Sequence, residues 1–171
     1  MQAILVIDYS HTGMSHVLSH ALAERQGWAA GGISEAKPGR NDMRCALDTL
    51  LRRTPAIRYD GPPPSQFDAV VLVAPIWIAR LAGPMRSFVH AWKAQLPDVA
   101  VIAVKGSSAI DHAAAEVAHI LGRPTVLDEG FRAQEILDGS FTARLDSFAA
   151  MLQAMPRRAP ALAPVSQPLA A

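Results

Sequence analysis

An apolar run, Ala3-Ile4-Leu5-Val6-Ile7, passes almost directly into a small polar segment, Ser10-His11-Thr12-Gly13-Met14-Ser15, and then into a helical pattern. A strand that hands over to a helix through so short a loop brings backbone amides, hydroxyls and the positive end of the helix to one point. That arrangement suits a phosphate dianion and needs no catalytic side chain to bind it. Thr12 or Ser10 acting as a plain helix N-cap is the alternative. Three hydroxyls within six residues, Ser10, Thr12 and Ser15, favour the ligand.

Further apolar runs follow at Ala69 to Ala74, Val99 to Val104 and the shorter Thr125 to Leu127, each reading as a strand covered on both faces. Helical stripes lie between and after them: Val17, Leu18, Ala21 and Leu22; Met85, Phe88, Val89 and Trp92; Val117, Ile120 and Leu121; Phe141, Leu145, Phe148 and Leu152. A weaker strand near Ala29 to Ser34 and a helix from Asp42 to Arg53 complete five of each. Alternating strands and helices with right-handed crossovers predict a parallel sheet with helices on both faces, a three-layer α/β/α sandwich. Pro55 to Gln66, with Pro62-Pro63-Pro64, is expected to be a loop that cannot be helical. Residues 1–154 read as one domain and 155–171 as a mobile tail, Pro- and Ala-rich with no apolar period.

The chain has 171 residues and 50% hydrophobic content, enough for one domain with a core on both sides of a sheet. Its 16 basic and 15 acidic side chains nearly cancel, so charge argues for no nucleic-acid partner. A single cysteine, Cys45, cannot form an internal disulfide and fits a reducing cytoplasm. The first apolar run reaches Asp8 too early for a signal peptide or membrane span.

In an open parallel sheet, ligands bind beyond the carboxyl ends of the strands where the strand order reverses. Three loops are expected there: Ser10 to Ser15, Ala74 to Arg80 with its indole, and Lys105 to Ser108 with a cation and two hydroxyls. Together they suit a flat, aromatic, phosphorylated ligand. Tyr9-Ser10-His11-Thr12-Gly13-Met14-Ser15 resembles the hydroxyl-rich phosphate loop of the flavodoxin-like family of flavin mononucleotide (FMN) proteins. Phe67 to Trp77, followed by Gly83-Pro84-Met85-Arg86-Ser87-Phe88, resembles that family's third strand, flavin-contacting loop and next helix. Asp138-Gly139-Ser140-Phe141 is a weaker echo, and the resemblance spans about residues 2 to 152.

The resemblance implies a five-stranded sheet in the order 2-1-3-4-5, with FMN at its edge. It assigns the phosphate to the hydroxyls of Ser10, Thr12 and Ser15 and the amides of His11, Gly13 and Met14. The isoalloxazine falls to Pro75, Ile76, Trp77 and Ile78, and its pyrimidine edge to Lys105, Gly106, Ser107 and Ser108. Carriers of the family commonly place an aromatic residue in the third loop and an acidic surface around it; this chain has neither. One-electron carriers also turn a peptide carbonyl toward the flavin, usually at a glycine. Here that segment is Trp77-Ile78-Ala79-Arg80, where a left-handed residue costs on the order of 1 kcal/mol or more. A lysine near the pyrimidine edge favours a fully reduced, anionic flavin. The expectation is therefore an FMN oxidoreductase moving two electrons from NAD(P)H to a quinone-like or small aromatic acceptor. A single-electron carrier docking a redox partner protein and a flavin-free interaction domain are the alternatives, and a homodimer is among the family's arrangements.

Other residues read more plainly. Trp92 and Trp28 are expected in the core. His16 and His20 have a metal-compatible spacing without a third ligand, so they read as a solvated helix face, as do His112 and His119. A carboxylate beside a phosphate repels it, so Asp8 is expected to point away or to bond loop amides. No nucleotide-triphosphate or dinucleotide glycine motif is present.

Overall fold

The computed structural model of the protein describes residues 2–36, 54–77, 80–105 and 111–156. The expected helix from Asp42 to Arg53 and most of the tail lie outside these residues, as does Cys45. In chain order the elements are β1 (Ile4–Tyr9), α1 (Met14–Gln26), β2 (Ala29–Glu35), β3 (Ile57–Asp60), β4 (Ala69–Trp77), β5 (Arg80–Leu81), α2 (Gly83–Trp92), β6 (Asp98–Lys105), α3 (Asp111–Leu121), β7 (Leu127–Arg132), α4 (Ala133–Asp138) and α5 (Thr142–Ala154).

The sheet runs β3-β2-β1-β4-β6-β7, with β5 paired to β4. β1 is parallel to β2 and β4, and β6 is parallel to β4 and β7. Seven strands therefore replace the five expected. The two additions are antiparallel, β3 on β2 and β5 on β4.

Strand pleating divides the core. Ile4 and Val6 face α1 and α5, joining Leu18, Leu22, Leu145, Phe148 and Leu152. Leu5 and Ile7 face the opposite way, toward Met85, Phe88 and Val89 of α2 and Val117 of α3. Helices thus cover both faces. Because β1, β4 and β6 are buried on both sides, their central runs, 4–7, 69–74 and 99–104, are apolar.

Four local expectations are corrected. The segment expected as an unbroken loop, Pro55 to Gln66, contains β3 and a single 3₁₀ turn at Pro64–Gln66. Proline is tolerated at the first helical positions, where its missing N–H has no intrahelical partner. The last strand starts at Leu127 and continues through the polar residues Asp128, Glu129 and Arg132, instead of occupying Thr125 to Leu127. As the edge strand it can carry polar side chains, and Arg144 of α5 bonds the Glu129 carboxylate and the Gly130 carbonyl. β4 continues past Ala74 as far as Trp77. On α1, Ser15, Leu18, Ser19, Leu22 and Ala23 are buried while Val17 is 49% exposed. The helix is rotated from the apolar stripe, with Ser19 and His16 meeting Asp8 beneath its first turns.

Trp92 and Trp28 are both partly buried against the core. Trp92 completes an aromatic corner with Phe88, at 5.8 Å between centroids, and Tyr59 of β3, at 5.4 Å. The Tyr59 hydroxyl donates to the Pro62 carbonyl at 2.7 Å. This corner closes only because two glycines lie under Tyr59. A Cβ on Gly61 would sit 2.8 Å from the Gly31 Cα and 2.6 Å from the Tyr59 hydroxyl oxygen. Since the first neighbour is backbone, it cannot swing aside. Gly61→Ala is expected to cost about 1–3 kcal/mol, read as a lower urea midpoint with an unchanged slope.

Candidate functional site

β1 sits between β2 and β4, so the chain leaves it in one direction along the sheet and later returns on the other side. In open parallel sheets ligands bind at such a reversal, here the carboxyl ends of β1 and β4. β1 ends in Tyr9, 3% exposed, whose hydroxyl donates to the Glu35 carboxylate at 2.8 Å and ties the ends of β1 and β2 together. Ser10 follows. Its Oγ is buried and has no hydrogen-bond partner among the described residues.

His11, Thr12 and Gly13 are exposed. Gly13 is the residue before α1 and adopts φ 89°, a left-handed backbone that a Cβ would strain. No side chain caps the helix, so the plain N-cap by Thr12 or Ser10 is not what the loop forms. The first bond of the helix runs from the Val17 amide to the Gly13 carbonyl at 3.0 Å, which leaves the amides of residues 14 to 16 without intrahelical partners. Met14 is half-buried against the α1/α5 core, and Ser15 is 1% exposed on the sheet side of the helix.

From β4, Pro75 still pairs with Val104 of β6, after which Ile76 and Trp77 pair antiparallel with Leu81 and Arg80. The expected flavin-contacting loop is therefore largely strand. All three residues are half-buried. The Trp77 ring meets His11 edge-on at 5.6 Å and Tyr9 at 6.1 Å, joining the β1 loop to the end of β4. Lys105 ends β6 at the same edge of the sheet, in register with Arg132 of β7. The Lys105 side chain, Ile78, Gly106, Ser107 and Ser108 lie outside the described residues.

β5 is held by a partly buried ion pair for which the sequence carries no local signal, since its members are 30 positions apart. Arg86 of α2, 2% exposed, meets Glu116 of α3 at 2.5 Å. The guanidinium also donates to the Leu81 carbonyl at 2.9 Å, and the other Glu116 oxygen accepts the Leu81 amide at 3.1 Å. Both backbone groups of Leu81 are thereby satisfied. The pair anchors the strand that supports Trp77.

Asp8 turns toward α1, with its carboxylate 3.4 Å from the His16 Nδ1. Burial pushes the Asp8 carboxyl above its usual range, against the opposing influence of His16 and a hydrogen bond with Ser19. His20 lies 3.3 Å from Glu24. Among the described residues no three potential ligands gather as a metal site.

No protein-family model matches the sequence, and no curated protein matches it. Solved structures do. A flavoprotein from Lactobacillus acidophilus NCFM, in complex with FMN, aligns with a TM-score of 0.68 at 14% identity, over 81% of this chain and 98% of that one. The fold is flavodoxin-like. A flavodoxin, WrbA-like protein from Agrobacterium tumefaciens aligns at 0.54 and 13% identity, over 91% and 100% of the two chains. A flavone reductase aligns at 0.55 and 13%, over 91% of this chain and 65% of its own. In flavodoxin-like terms, the carboxyl ends of β1 and β4 are the topological switch point of the sheet. Among the described residues, no helix is long and apolar enough to cross a membrane.

Proposed function

We propose that the protein binds FMN at the carboxyl ends of β1, β4 and β6 and is an oxidoreductase carrying two electrons from NAD(P)H to a quinone-like or small aromatic acceptor. The observation that carries this reading is the buried, partnerless Ser10 Oγ beside the uncapped start of α1. An unsatisfied buried hydroxyl costs about 1–3 kcal/mol, which an incoming phosphate oxygen offsets. Gly13 lets the loop turn tightly enough for its amides to converge there.

In this reading Ser10, Thr12 and Ser15 hold the phosphate with the amides of His11, Gly13 and Met14. Pro75, Ile76, Trp77 and Ile78 line the ring, and Lys105 to Ser108 border its pyrimidine edge. FMN, when bound, supplies two-electron exchange with a nicotinamide donor and an aromatic acceptor. The chain's part is to orient it, shield it from water on the Trp77 side and place a cation where negative charge accumulates. The absence of glycine from Trp77-Ile78-Ala79-Arg80 favours two-electron over one-electron work. The flavone reductase of similar fold agrees with a small-molecule acceptor.

The test is a titration of the protein with FMN, read by quenching of flavin fluorescence, followed by NADPH oxidation with a soluble quinone. Saturable binding and quinone-dependent turnover are expected. Binding without turnover turns the reading to a carrier, and no binding turns it to a flavin-free interaction domain.

A further inference from the structure

Asp8 is an unusual residue to find under a phosphate loop, because a carboxylate there opposes the ligand. Polar partners surround it: Ser19, on the buried face of α1, bonds it, and the exposed imidazole of His16 reaches back to 3.4 Å. His16 is 65% exposed at its side chain and gives the buried carboxylate a contact with solvent protons.

Resting on the FMN reading above, we propose that Asp8, in contact with His16, makes this phosphate site proton-linked, so that a dianion bound at the start of α1 brings a proton onto Asp8. The negative charge of the ligand adds to that of Asp8, and the cheapest response is for Asp8 to gain a proton. Burial has already moved Asp8 in that direction.

Among the described residues, the charged groups near Asp8 have partners of their own. β4 contains no titratable residue, and the β2 residue paired with Asp8 is Gly32. Glu35 of β2 accepts the Tyr9 hydroxyl, and His11 rests against Trp77. On α1, His20 lies 5.9 Å from His16 between ring centroids and faces Glu24. The charges of α4 and α5 are engaged elsewhere: Glu135 with Arg144, Asp146 with Arg25, and Asp138 with the Ser140 amide. The consequence is a site that prefers FMN over a flavin without phosphate more strongly as pH falls toward about 6, where the phosphate itself gains a proton.

The experiment is calorimetric titration of the full-length apoprotein with FMN at about pH 7.5, where the free phosphate is nearly all dianion. Two buffers of different ionisation enthalpy are compared, with riboflavin as the phosphate-free probe. Buffer-dependent heat showing proton uptake is expected for FMN and not for riboflavin. Asp8→Asn is expected to remove the uptake and to tighten FMN about fivefold at this pH, by deleting a like charge. His16→Gln, at an exposed position, is expected to reduce it. Buffer-independent heat in the wild type, or undiminished uptake in both variants, overturns the inference while leaving FMN binding intact. Absence of FMN binding overturns both.

Discussion

Glu116→Ala is expected to lower stability by about 3–5 kcal/mol, because it removes the carboxylate that pairs with a guanidinium buried to 2% exposure. For a domain of this size the melting temperature falls on the order of 10 °C. The Leu81 amide loses its acceptor in the same step, so β5 is left without one of its two side-chain anchors. Glu116→Gln keeps an acceptor for that amide and is expected to lose less. Replacing both partners, Arg86→Met with Glu116→Leu, is expected to be milder than Glu116→Ala alone, since the buried guanidinium is removed with its partner. Thermal unfolding of the three variants checks this. A double variant as unstable as Glu116→Ala would show that bulk packing rather than the uncompensated charge sets the cost. Because β5 pairs with Trp77, loosening it should also redden Trp77 emission.

The double substitution Thr12→Ala, Ser15→Ala is expected to weaken FMN binding at least about 100-fold. A hydrogen bond to a charged group contributes about 1.5–3 kcal/mol, and two such losses exceed a factor of a hundred together. Riboflavin affinity is expected to change little, because it lacks the phosphate. That contrast separates the loss of an anion contact from a general loosening of the loop. Equal losses for both ligands would count against these hydroxyls as phosphate ligands. Ser15 is the more informative of the two, as it lies on the sheet side of α1 while Thr12 is exposed.

The parallel strands were legible because burial on both faces forces continuous apolar runs, as in Val70-Val71-Leu72-Val73. β3 was hidden. Ile57-Arg58-Tyr59-Asp60 alternates as a strand should, but it sits between Pro55 and Pro62, and its extended state is secured by pairing with β2. β7 was misplaced for a related reason: at an edge, Asp128 and Glu129 can face solvent or Arg144, and no apolar run marks them. The loop proposed to hold phosphate was readable as small polar residues between strand and helix. Its buried Ser10 hydroxyl and its lack of a side-chain cap were not, since both depend on how the loop packs.

By itself the sequence determined the layers and the end of the sheet where a ligand can sit, because period and composition report burial and turning, which are local properties. Only the tertiary structure decided how α1 is rotated over Asp8, that His16 reaches it, and that Arg86 and Glu116 clamp Leu81. These contacts join residues 5 to 35 positions apart. Their cause is the desolvation of a charge, which fixes a partner only once the chain has folded around it.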